Sequence, residues 1–223
     1  MNTLYGIFIG LSYVSFILVA IVMSKLKLHI KIDHLIMYII LNAFLSLFGG
    51  KVMAYVTSDI EGQTFFQAGL SSYGGLIGGI VSGGIMWIIT KRRAFMDISV
   101  LSLPLMYAVG KLGCNSAGCC YGIPFEHGIY NATAGQNVFP VQMTETIVFV
   151  IIFGIAFWMY ISEKRNWLQV TIIASALAKA GLDYLRDSHI DQVLSINQIM
   201  SIIACIVVVI ITIIWRRLHG RAE

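Results

Sequence analysis

The chain has 223 residues, of which 58% are hydrophobic and only 12% are charged, with a formal net charge of +4 and a mean hydropathy of +0.83. A soluble domain carries roughly 25% charged residues, so this chain has too few polar side chains to cover a globule of its own size. The composition excludes a soluble enzyme, a nucleic-acid-binding protein and a disordered protein, and it predicts an integral membrane protein.

Long apolar stretches recur along the whole chain. A helix needs about 20 mostly apolar residues to cross the hydrocarbon core of a bilayer. Seven stretches meet this requirement, at approximately 3–24, 34–57, 66–90, 95–113, 139–162, 167–186 and 197–215. They leave a short outer loop at about 114–138 and no room for a soluble domain. The predicted fold is an all-α integral membrane protein, a single bundle of seven transmembrane helices over residues 1–223.

The distribution of basic residues predicts how the bundle is oriented, because cytoplasmic loops carry an excess of Lys and Arg. Such residues cluster after spans one, three, five and seven, namely Lys25, Lys27, Lys31, Lys91, Arg92, Arg93, Lys164, Arg165, Arg216, Arg217 and Arg221. The opposite loops contain acidic residues instead, namely Asp59, Glu61, Glu126, Asp187 and Asp191. The N-terminus is therefore expected outside and the C-terminus in the cytoplasm.

Four further cations fall within the predicted spans or near their outer ends, namely Lys51, Lys111, Lys179 and Arg186. A charge at membrane depth costs roughly 3 kcal/mol on insertion scales, so it normally faces a partner or an aqueous cavity. For each cation alone, snorkelling to the interface or a structural ion pair is an equal alternative. Their number favours a shared site, and the carboxylates Glu145 and Asp183 fall at similar depth.

The spacing of Lys179, Asp183 and Arg186 places all three side chains on one helical face. One carboxylate and two cations do not neutralise one another, so positive charge is left over. An outward-opening cavity with excess positive charge inside a bilayer predicts an anionic guest, and a phospholipid headgroup is the expected one.

Glycine pairs follow Ser72 and Tyr73 in the third span, beginning with Gly74 and Gly75. The four-residue spacing of Gly75, Gly79 and Gly83 predicts close helix packing. The alternative is that the glycines open the helix and expose backbone N–H groups to a ligand, which is tolerated at membrane depth only beside a cavity.

Glycines, one cation and three cysteines combine in the segment 110–122. Glycine lets the main chain approach a phosphate, and Lys111 supplies positive charge. Three interpretations of Cys114, Cys119 and Cys120 stay open: small-residue packing, a disulfide from Cys114 to Cys119 or Cys120, and chemistry at a metal or an acyl-accepting thiol. The spacing matches no structural zinc pattern and includes no histidine, so no metal or other cofactor is expected.

These segments resemble the motifs of the bacterial prolipoprotein diacylglyceryl transferases. The segment Gly110–Gly122 resembles the family's G-R-[IL]-G-N-F-x-N-G-E-x-x-G, and Ser72–Gly78 resembles its S-F-H-G-G-L-x-G once the phenylalanine is skipped. The segment Phe139–Glu145 resembles its H-P-[TV]-Q-L-Y-E, and Lys179–Arg186 resembles its R-F-x-x-E-x-x-R. Shorter matches are Tyr5-Gly6 with W-Y-G, Gly49-Gly50-Lys51 with G-[GA]-R, and Leu194–Gln198 with L-S-x-x-Q. The resemblance implies a seven-helix enzyme of the bacterial plasma membrane whose active site faces the outer side.

The chain departs from these motifs at positions that carry chemistry. Lysine stands where the family has arginine at Lys51, Lys111 and Lys179. An ammonium acts as a point charge, whereas a guanidinium grips phosphate through two parallel N–H groups. Tyr73 replaces a histidine, while Cys114 and Cys119 replace an asparagine and a carboxylate.

The resemblance implies a transferase that moves the diacylglyceryl group of phosphatidylglycerol to the thiol of the lipobox cysteine in a prolipoprotein signal peptide, releasing glycerol 1-phosphate. The expected catalytic residues are Lys111, Arg186, Tyr73, Glu145 and Asp183. The two cations would stabilise the leaving phosphate, and the other three are candidate bases or orienting groups. The expected substrate-binding residues are Tyr5, Lys51, Gly74, Gly75, Gln142 and Lys179. No nucleic-acid partner is expected, and the sequence leaves the oligomeric state open.

Other functions stay open at this point. The loss of three arginines and a histidine is also consistent with a non-catalytic or repurposed phospholipid-binding membrane protein, or with a lipid transferase that has a different acceptor. A small transporter for organic anions rests only on intramembrane charge and bundle topology, and no inverted repeat supports it.

Overall fold

The computed structural model describes residues 3–57, 62–190 and 193–219. Four of the charged residues on which the predicted orientation depends, Asp59, Glu61, Asp191 and Arg221, lie outside these described residues. The elements in chain order are α1 (Thr3–Met23), α2 (Ile32–Val56), α3 (Ser72–Thr90), α4 (Ala94–Ala117), β1 (Pro124–Asn131), β2 (Gln136–Val138), α5 (Val141–Ile161), α6 (Trp167–Asp183) and α7 (Ile196–His219).

Six of the described helices are long and apolar enough to cross a membrane. The exception is α6, which has 17 residues. Long helices form because hydrocarbon offers the backbone no hydrogen-bond partner, and a helix satisfies its N–H and C=O groups internally. Large apolar side chains stay on the outside, as at Val14 and Ile210, which are 47% and 49% exposed. The prediction of a helical membrane protein is confirmed, while the seventh span and the orientation stay predictions.

The segment between α4 and α5 differs from the loop expected at about 114–138. Helix α4 continues to Ala117, past its expected end near residue 113. Gly113 does not end the helix, because its missing side chain serves close packing: an added Cβ would lie 2.9 Å from Cβ of Phe8 in α1. Strands β1 and β2 then form an antiparallel hairpin in which Tyr130 is opposite Asn137. The described fold is therefore helical, with one small antiparallel hairpin between α4 and α5.

Two compact units make up the chain. The first unit comprises Met1–Ser12 and Tyr107–Glu223, and the second unit comprises Tyr13–Met106.

Glycines bring α2 and α3 together in the second unit. A Cβ on Gly78 would clash with the backbone of Leu45, and a Cβ on Gly74 would clash with the carbonyl of Gly49. By contrast, Cβ atoms on Gly75 and Gly79 would meet α2 only at ordinary distances of 3.6 and 3.5 Å. The tight contact of α3 with α2 therefore involves Gly74 and Gly78 instead of Gly75 and Gly79. Gly83, the third predicted glycine, does pack closely, because an added Cβ would lie 2.7 Å from Oγ of Ser99. Helix α3 is unbroken from Ser72 to Thr90, so the glycines pack this helix and do not open it.

Hydrogen bonds made by buried polar side chains stabilise the same unit. Asn42 donates from Nδ2 to Oγ of Ser82 at 2.7 Å, and the Tyr38 hydroxyl donates to the Phe95 carbonyl at 3.0 Å. These bonds satisfy polar groups that apolar side chains surround, where an unmade bond is costly. Lys51 donates from Nζ to the carbonyl of Phe66 at 3.0 Å and to that of Ala68, so it anchors the segment that leads into α3.

The glycine contact between α2 and α3 is testable by adding single methyl groups. We expect Gly78→Ala to lower the free energy of unfolding by about 1–3 kcal/mol, because the methyl group overpacks the contact with Leu45. The matched control is Gly84→Ala in the same helix, where an added Cβ has no atom within 4 Å. Thermal unfolding in detergent measures both variants, and an equal effect of the two would contradict the assigned contact face.

Candidate active site

Charged side chains of the first unit converge from three helices and the turn after α6. We call this set the charged cluster, and its members are Tyr107, Lys111, Glu145, Lys179, Asp183 and Arg186. All five charged members are buried, with exposed fractions from 0% for Glu145 to 8% for Lys179. The structure thus brings together Lys111, Glu145, Lys179, Asp183 and Arg186, five of the six charged residues that the sequence assigned to one site. The sixth, Lys51, belongs to the second unit, where it binds backbone carbonyls.

Helical spacing accounts for much of this convergence. Tyr107 and Lys111 are four residues apart on α4, and Lys179 and Asp183 are four residues apart on α6, so each pair shares a helix face. Glu145 lies in the second turn of α5. The three helices therefore present their polar side chains to the same side of the unit.

Glu145 is the centre of the cluster. Its Oε2 lies 2.9 Å from Nζ of Lys111, and its Oε1 pairs with Nη2 of Arg186. The same Oε1 accepts a hydrogen bond from the Tyr107 hydroxyl at 2.8 Å. Glu145 is fully buried, and removing an ionised carboxylate from water costs several kcal/mol unless partners of this kind compensate. The carboxylate therefore fixes the positions of both cations.

Asp183 is the second carboxylate, and it lies at the end of α6. Ser195 donates from its hydroxyl to Oδ2, and Asn197 donates from Nδ2 to Oδ1 at 2.9 Å. Oδ1 also lies 3.5 Å from Nη1 of Arg186, and Nδ1 of His189 lies 3.9 Å from Oδ2. Asp183 thereby connects α6 to the start of α7 and to the arginine.

Arg186 contacts both carboxylates, but it does so from outside the helix. The sequence places Lys179, Asp183 and Arg186 on one helical face, and this detail is wrong because α6 ends at Asp183. Arg186 has extended backbone angles, φ −96° and ψ 141°. Its backbone forms an antiparallel bridge with Gly122, so the chain after α4 holds the segment that carries the guanidinium.

Tyr107 is a member of the cluster that the sequence analysis missed. The Tyr107 hydroxyl accepts hydrogen bonds from Nζ of Lys179 and from Nη2 of Arg186, both at 3.2 Å. Nζ of Lys179 also lies 4.5 Å from the centre of the phenol ring, within the range of a cation–π contact. The available signal was its position one helical turn before Lys111 in the fourth span.

The balance of charge in the cluster is positive. Lys111, Lys179 and Arg186 carry three positive charges, and Glu145 and Asp183 carry two negative charges, which leaves a formal excess of one positive charge. The sequence also predicts an excess of positive charge, but it derives this excess from Lys179, Asp183 and Arg186 alone. A buried site of this composition favours an anion whose oxygens accept hydrogen bonds from ammonium and guanidinium groups.

Three thiols lie beside the charged cluster. The sulfur atoms of Cys114, Cys119 and Cys120 all lie within 4.8 Å of one another, and the cysteines are free. Hydrogen bonds from the Cys114 and Cys119 thiols lower the pKa of the Cys120 thiol, and the positive charges of Lys111 and Arg186 lower it further. We call these three residues the thiol cluster.

Two expected substrate-binding residues lie next to the thiol cluster. Gln142 donates from Nε2 to the Cys119 carbonyl at 2.9 Å. Tyr5 on α1 faces Gly113, where an added Cβ would lie 3.6 Å from the Tyr5 ring. Gln142 also borders a cavity of about 330 Å³ between the end of α4 and the β-hairpin, lined by Asn115, Ser116, Tyr130, Thr133, Pro140 and others.

The remaining expected site residues belong to the second unit. Tyr73 is buried on α3, with 7% of its surface exposed. Gly74 packs against the backbone of α2, Gly75 lies on the same helix, and Lys51 binds the carbonyls of Phe66 and Ala68.

Comparison with known proteins gives a consistent result. The family model described as Prolipoprotein diacylglyceryl transferase matches residues 3–215. Phosphatidylglycerol–prolipoprotein diacylglyceryl transferase 2 of Clostridium perfringens is 26% identical over 214 residues, which cover 86% of this chain and 82% of that protein. The phosphatidylglycerol–prolipoprotein diacylglyceryl transferase of Clostridium tetani is 25% identical over 227 residues, which cover 91% and 89%. A protein of that name from Dehalococcoides mccartyi strain 195 is 31% identical over 110 residues, 43% of this chain and 40% of that protein.

The central position of Glu145 predicts a large effect of neutralising it. We expect Glu145→Gln to lower the free energy of unfolding by about 3–5 kcal/mol, because Lys111 and Arg186 would then stay buried without their shared counter-charge. Thermal unfolding in detergent gives this value. Glu126→Gln, at an exposed position on β1, is the control that should change stability little. A loss for Glu145→Gln no larger than that of the control would refute the assignment of Glu145 as the centre of the cluster.

Proposed function

This chain belongs to the prolipoprotein diacylglyceryl transferase family, and we propose that it transfers the diacylglyceryl group of phosphatidylglycerol to the lipobox cysteine of a bacterial prolipoprotein. The reaction would form a thioether and release glycerol 1-phosphate. The observation that carries the proposal is the buried charged cluster with its excess positive charge, at positions that match the family's motifs.

Stabilisation of the leaving phosphate is the role that we assign to the cations. Negative charge develops on the phosphate as its ester bond to carbon breaks, and fixed positive groups in a water-poor site stabilise such charge strongly. Lys111 and Arg186 are the first candidates because Glu145 holds both in place. Lys179 supports them through the Tyr107 hydroxyl.

Glu145 and Asp183 fit a positioning role better than that of a general base. Both oxygens of Glu145 face cations, and both oxygens of Asp183 accept hydrogen bonds. The oxygens of both carboxylates are thus already engaged by fixed donors, and neither faces an open position for an incoming thiol. Their proposed contribution is to keep the cations at fixed positions before the lipid binds, which removes the need for reorganisation during the reaction.

Lipid binding is the proposed role of the other expected residues. Gln142 and Tyr5 lie beside the thiol cluster in the first unit, where they would position the headgroup. Lys51, Gly74 and Gly75, which belong to the second unit, stay proposed lipid-binding residues on the family resemblance, and Tyr73 stands at the position of the family's histidine. A phenol does not titrate near neutral pH as a histidine does, so Tyr73 alone is a poor activator of the acceptor thiol.

The orientation that we propose has seven spans, an external N-terminus and a site that opens to the outer side of the bacterial plasma membrane. The 17 residues of α6 extend about 26 Å, which is close to the thickness of the hydrocarbon core. If α6 crosses the membrane, the basic loops and the basic end of α7 all lie on the cytoplasmic side. If α6 did not cross, Arg216 and Arg217 would be on the opposite side from Lys164 and Arg165, against the positive-inside rule.

Transfer to a peptide tests the proposal directly. The purified protein is incubated in detergent with phosphatidylglycerol and a lipobox peptide, and mass spectrometry follows the peptide. We expect the peptide to gain one diacylglyceryl group, and we expect Lys111→Ala to slow this gain at least about 100-fold because a group that stabilises the leaving phosphate is lost. Lys164→Ala, in the loop between α5 and α6, is the matched control and should keep the rate.

Two outcomes would contradict the proposal. Full activity of Lys111→Ala would remove the assigned role of the charged cluster. The absence of transfer by the wild type, beside an active family member as control, would favour a phospholipid-binding protein that has lost catalysis or a transferase for another acceptor.

A further inference from the structure

The thiol cluster is built by a reversal of the chain at the end of α4. Cys114 lies in the last turn of the helix, and the chain then turns through Gly118 and Cys120, which have φ values of +68° and +56°. The Cys119 N–H donates to the Cys114 carbonyl at 3.2 Å, which closes the turn. Cysteines that are separated in sequence by C-x4-C-C thereby have their sulfur atoms within 4.8 Å of one another.

We propose that Cys114, Cys119 and Cys120 bind one zinc ion and that its fourth coordination position takes the thiol of the acceptor cysteine. The second part rests on the proposed function. Two sulfurs bound to a tetrahedral zinc at about 2.3 Å are roughly 3.8 Å apart. Side-chain rotations that bring the sulfur atoms about 1 Å closer together would therefore complete the site. Zinc with three protein ligands keeps a position for a water or a substrate, which is the arrangement of catalytic sites.

The surroundings of the thiol cluster match the charge that this site would carry. Three thiolates around a divalent ion leave one negative charge. Lys111 precedes Cys114 by one helical turn on α4, and the backbone of Gly122, two residues after Cys120, pairs with that of Arg186. Two cations of the charged cluster are thus held near the cysteine segment. They attract the thiolates without being ligands themselves, while their counter-charge stays with Glu145.

A zinc ion at this position would activate the acceptor thiol, a role for which Tyr73 is less suited than the histidine of the family's motif. A thiol that coordinates zinc is deprotonated, and its proton passes to solvent. The bound sulfur then attacks the carbon of the diacylglyceryl group that carries the phosphate ester. The S–C bond forms, the C–O bond breaks, and its electron pair leaves with the oxygen of glycerol 1-phosphate. The product thioether is neutral and binds zinc more weakly than a thiolate, so the next acceptor thiol displaces it.

The link between the two clusters places nucleophile and leaving group side by side. Gln142 binds the Cys119 carbonyl, and Glu145, one helical turn further along α5, holds Lys111 and Arg186. The thiol cluster would hold the attacking sulfur, and the charged cluster would hold the phosphate that departs. Sequence spacing gave no reason to expect a metal, because the proposed zinc site depends on the turn that brings the three sulfur atoms together.

Metal binding is measured on the full-length protein, purified in detergent, reduced with a phosphine and freed of metal. Zinc is added and counted per chain by elemental analysis, and Co²⁺ replaces it for spectroscopy. We expect one zinc per chain and, with Co²⁺, thiolate-to-metal absorption together with the bands of a tetrahedral ion. Reduced wild-type protein that takes up no zinc and gives no thiolate absorption would overturn the proposal.

Single serine substitutions identify the ligands. We expect Cys114→Ser, Cys119→Ser and Cys120→Ser each to weaken zinc binding at least tenfold, while Cys205→Ser in α7 keeps it. Thermal unfolding of the metal-free variants shows whether they are folded, and unfolding temperatures equal to that of the metal-free wild type make the loss of metal a ligand effect. Unchanged binding in all three cluster variants would refute the assignment of these ligands.

The fourth coordination position is tested with the acceptor itself. A lipobox peptide should shift the Co²⁺ bands, and the same peptide with serine in place of cysteine should not. If the bands stay unchanged with the cysteine peptide, the ion has no catalytic position and the second part of the proposal fails.

Failure of the zinc site and failure of the proposed function give different results. Metal-free protein that transfers the diacylglyceryl group at the full rate would exclude a role for zinc while the transferase stands. Zinc binding by wild type and by Lys111→Ala, without transfer by the wild type on any thiol, would leave the metal site and overturn the transferase.

Discussion

Burial of Glu145 is the constraint on which the charged cluster depends. A carboxylate with no exposed surface, among the packed helices of a membrane protein, requires positive partners, and it has them in Lys111 and Arg186. Those cations come from α4 and from the turn after α6, so one side chain on α5 determines how three parts of the chain meet. Asp183 likewise pairs with Arg186 and accepts hydrogen bonds from Ser195 and Asn197. The formal charges of the cluster then add up to one unbalanced positive charge. An anionic lipid headgroup would neutralise this charge. The ion pairs that buried carboxylates require thus also form an anion-binding site.

The turn after α4 has a second consequence beyond holding Arg186. It brings three cysteines together at the edge of the charged cluster. The chain that carries them is connected to that cluster by Lys111 on α4 and by the backbone bridge between Gly122 and Arg186. A family in which a histidine stands at the position of Tyr73 has a titrating group that this chain lacks. The zinc proposal instead assigns the activation of the acceptor thiol to Cys114, Cys119 and Cys120. On this proposal the cysteines take over the role that the histidine at the position of Tyr73 would have.

Much of the fold and the site is predictable from composition and spacing, because the bilayer restricts the solutions. Apolar length identifies the helices, and the high cost of charge in hydrocarbon identifies Lys111, Glu145, Lys179, Asp183 and Arg186 as one group. Features that depend on packing were missed or misplaced. Spacing alone extended α6 through Arg186 and assigned the contact of α3 with α2 to Gly75 and Gly79 instead of Gly74 and Gly78. Tyr107 was missed although it lies one helical turn before Lys111. Such choices depend on which atoms of a neighbouring helix come close, and no single span contains that information.

The preference of the protein for phosphatidylglycerol over a zwitterionic lipid tests the central claim most directly. Native mass spectrometry counts the lipids that stay bound when the protein is released from nanodiscs of phosphatidylglycerol and phosphatidylethanolamine. An unbalanced positive charge predicts that the wild type retains phosphatidylglycerol preferentially, because its headgroup carries a net negative charge. Lys111→Ala should lose that preference, because the substitution makes the formal charge of the cluster zero. Equal retention of the two lipids by the wild type would contradict the claim that the charged cluster binds an anionic headgroup.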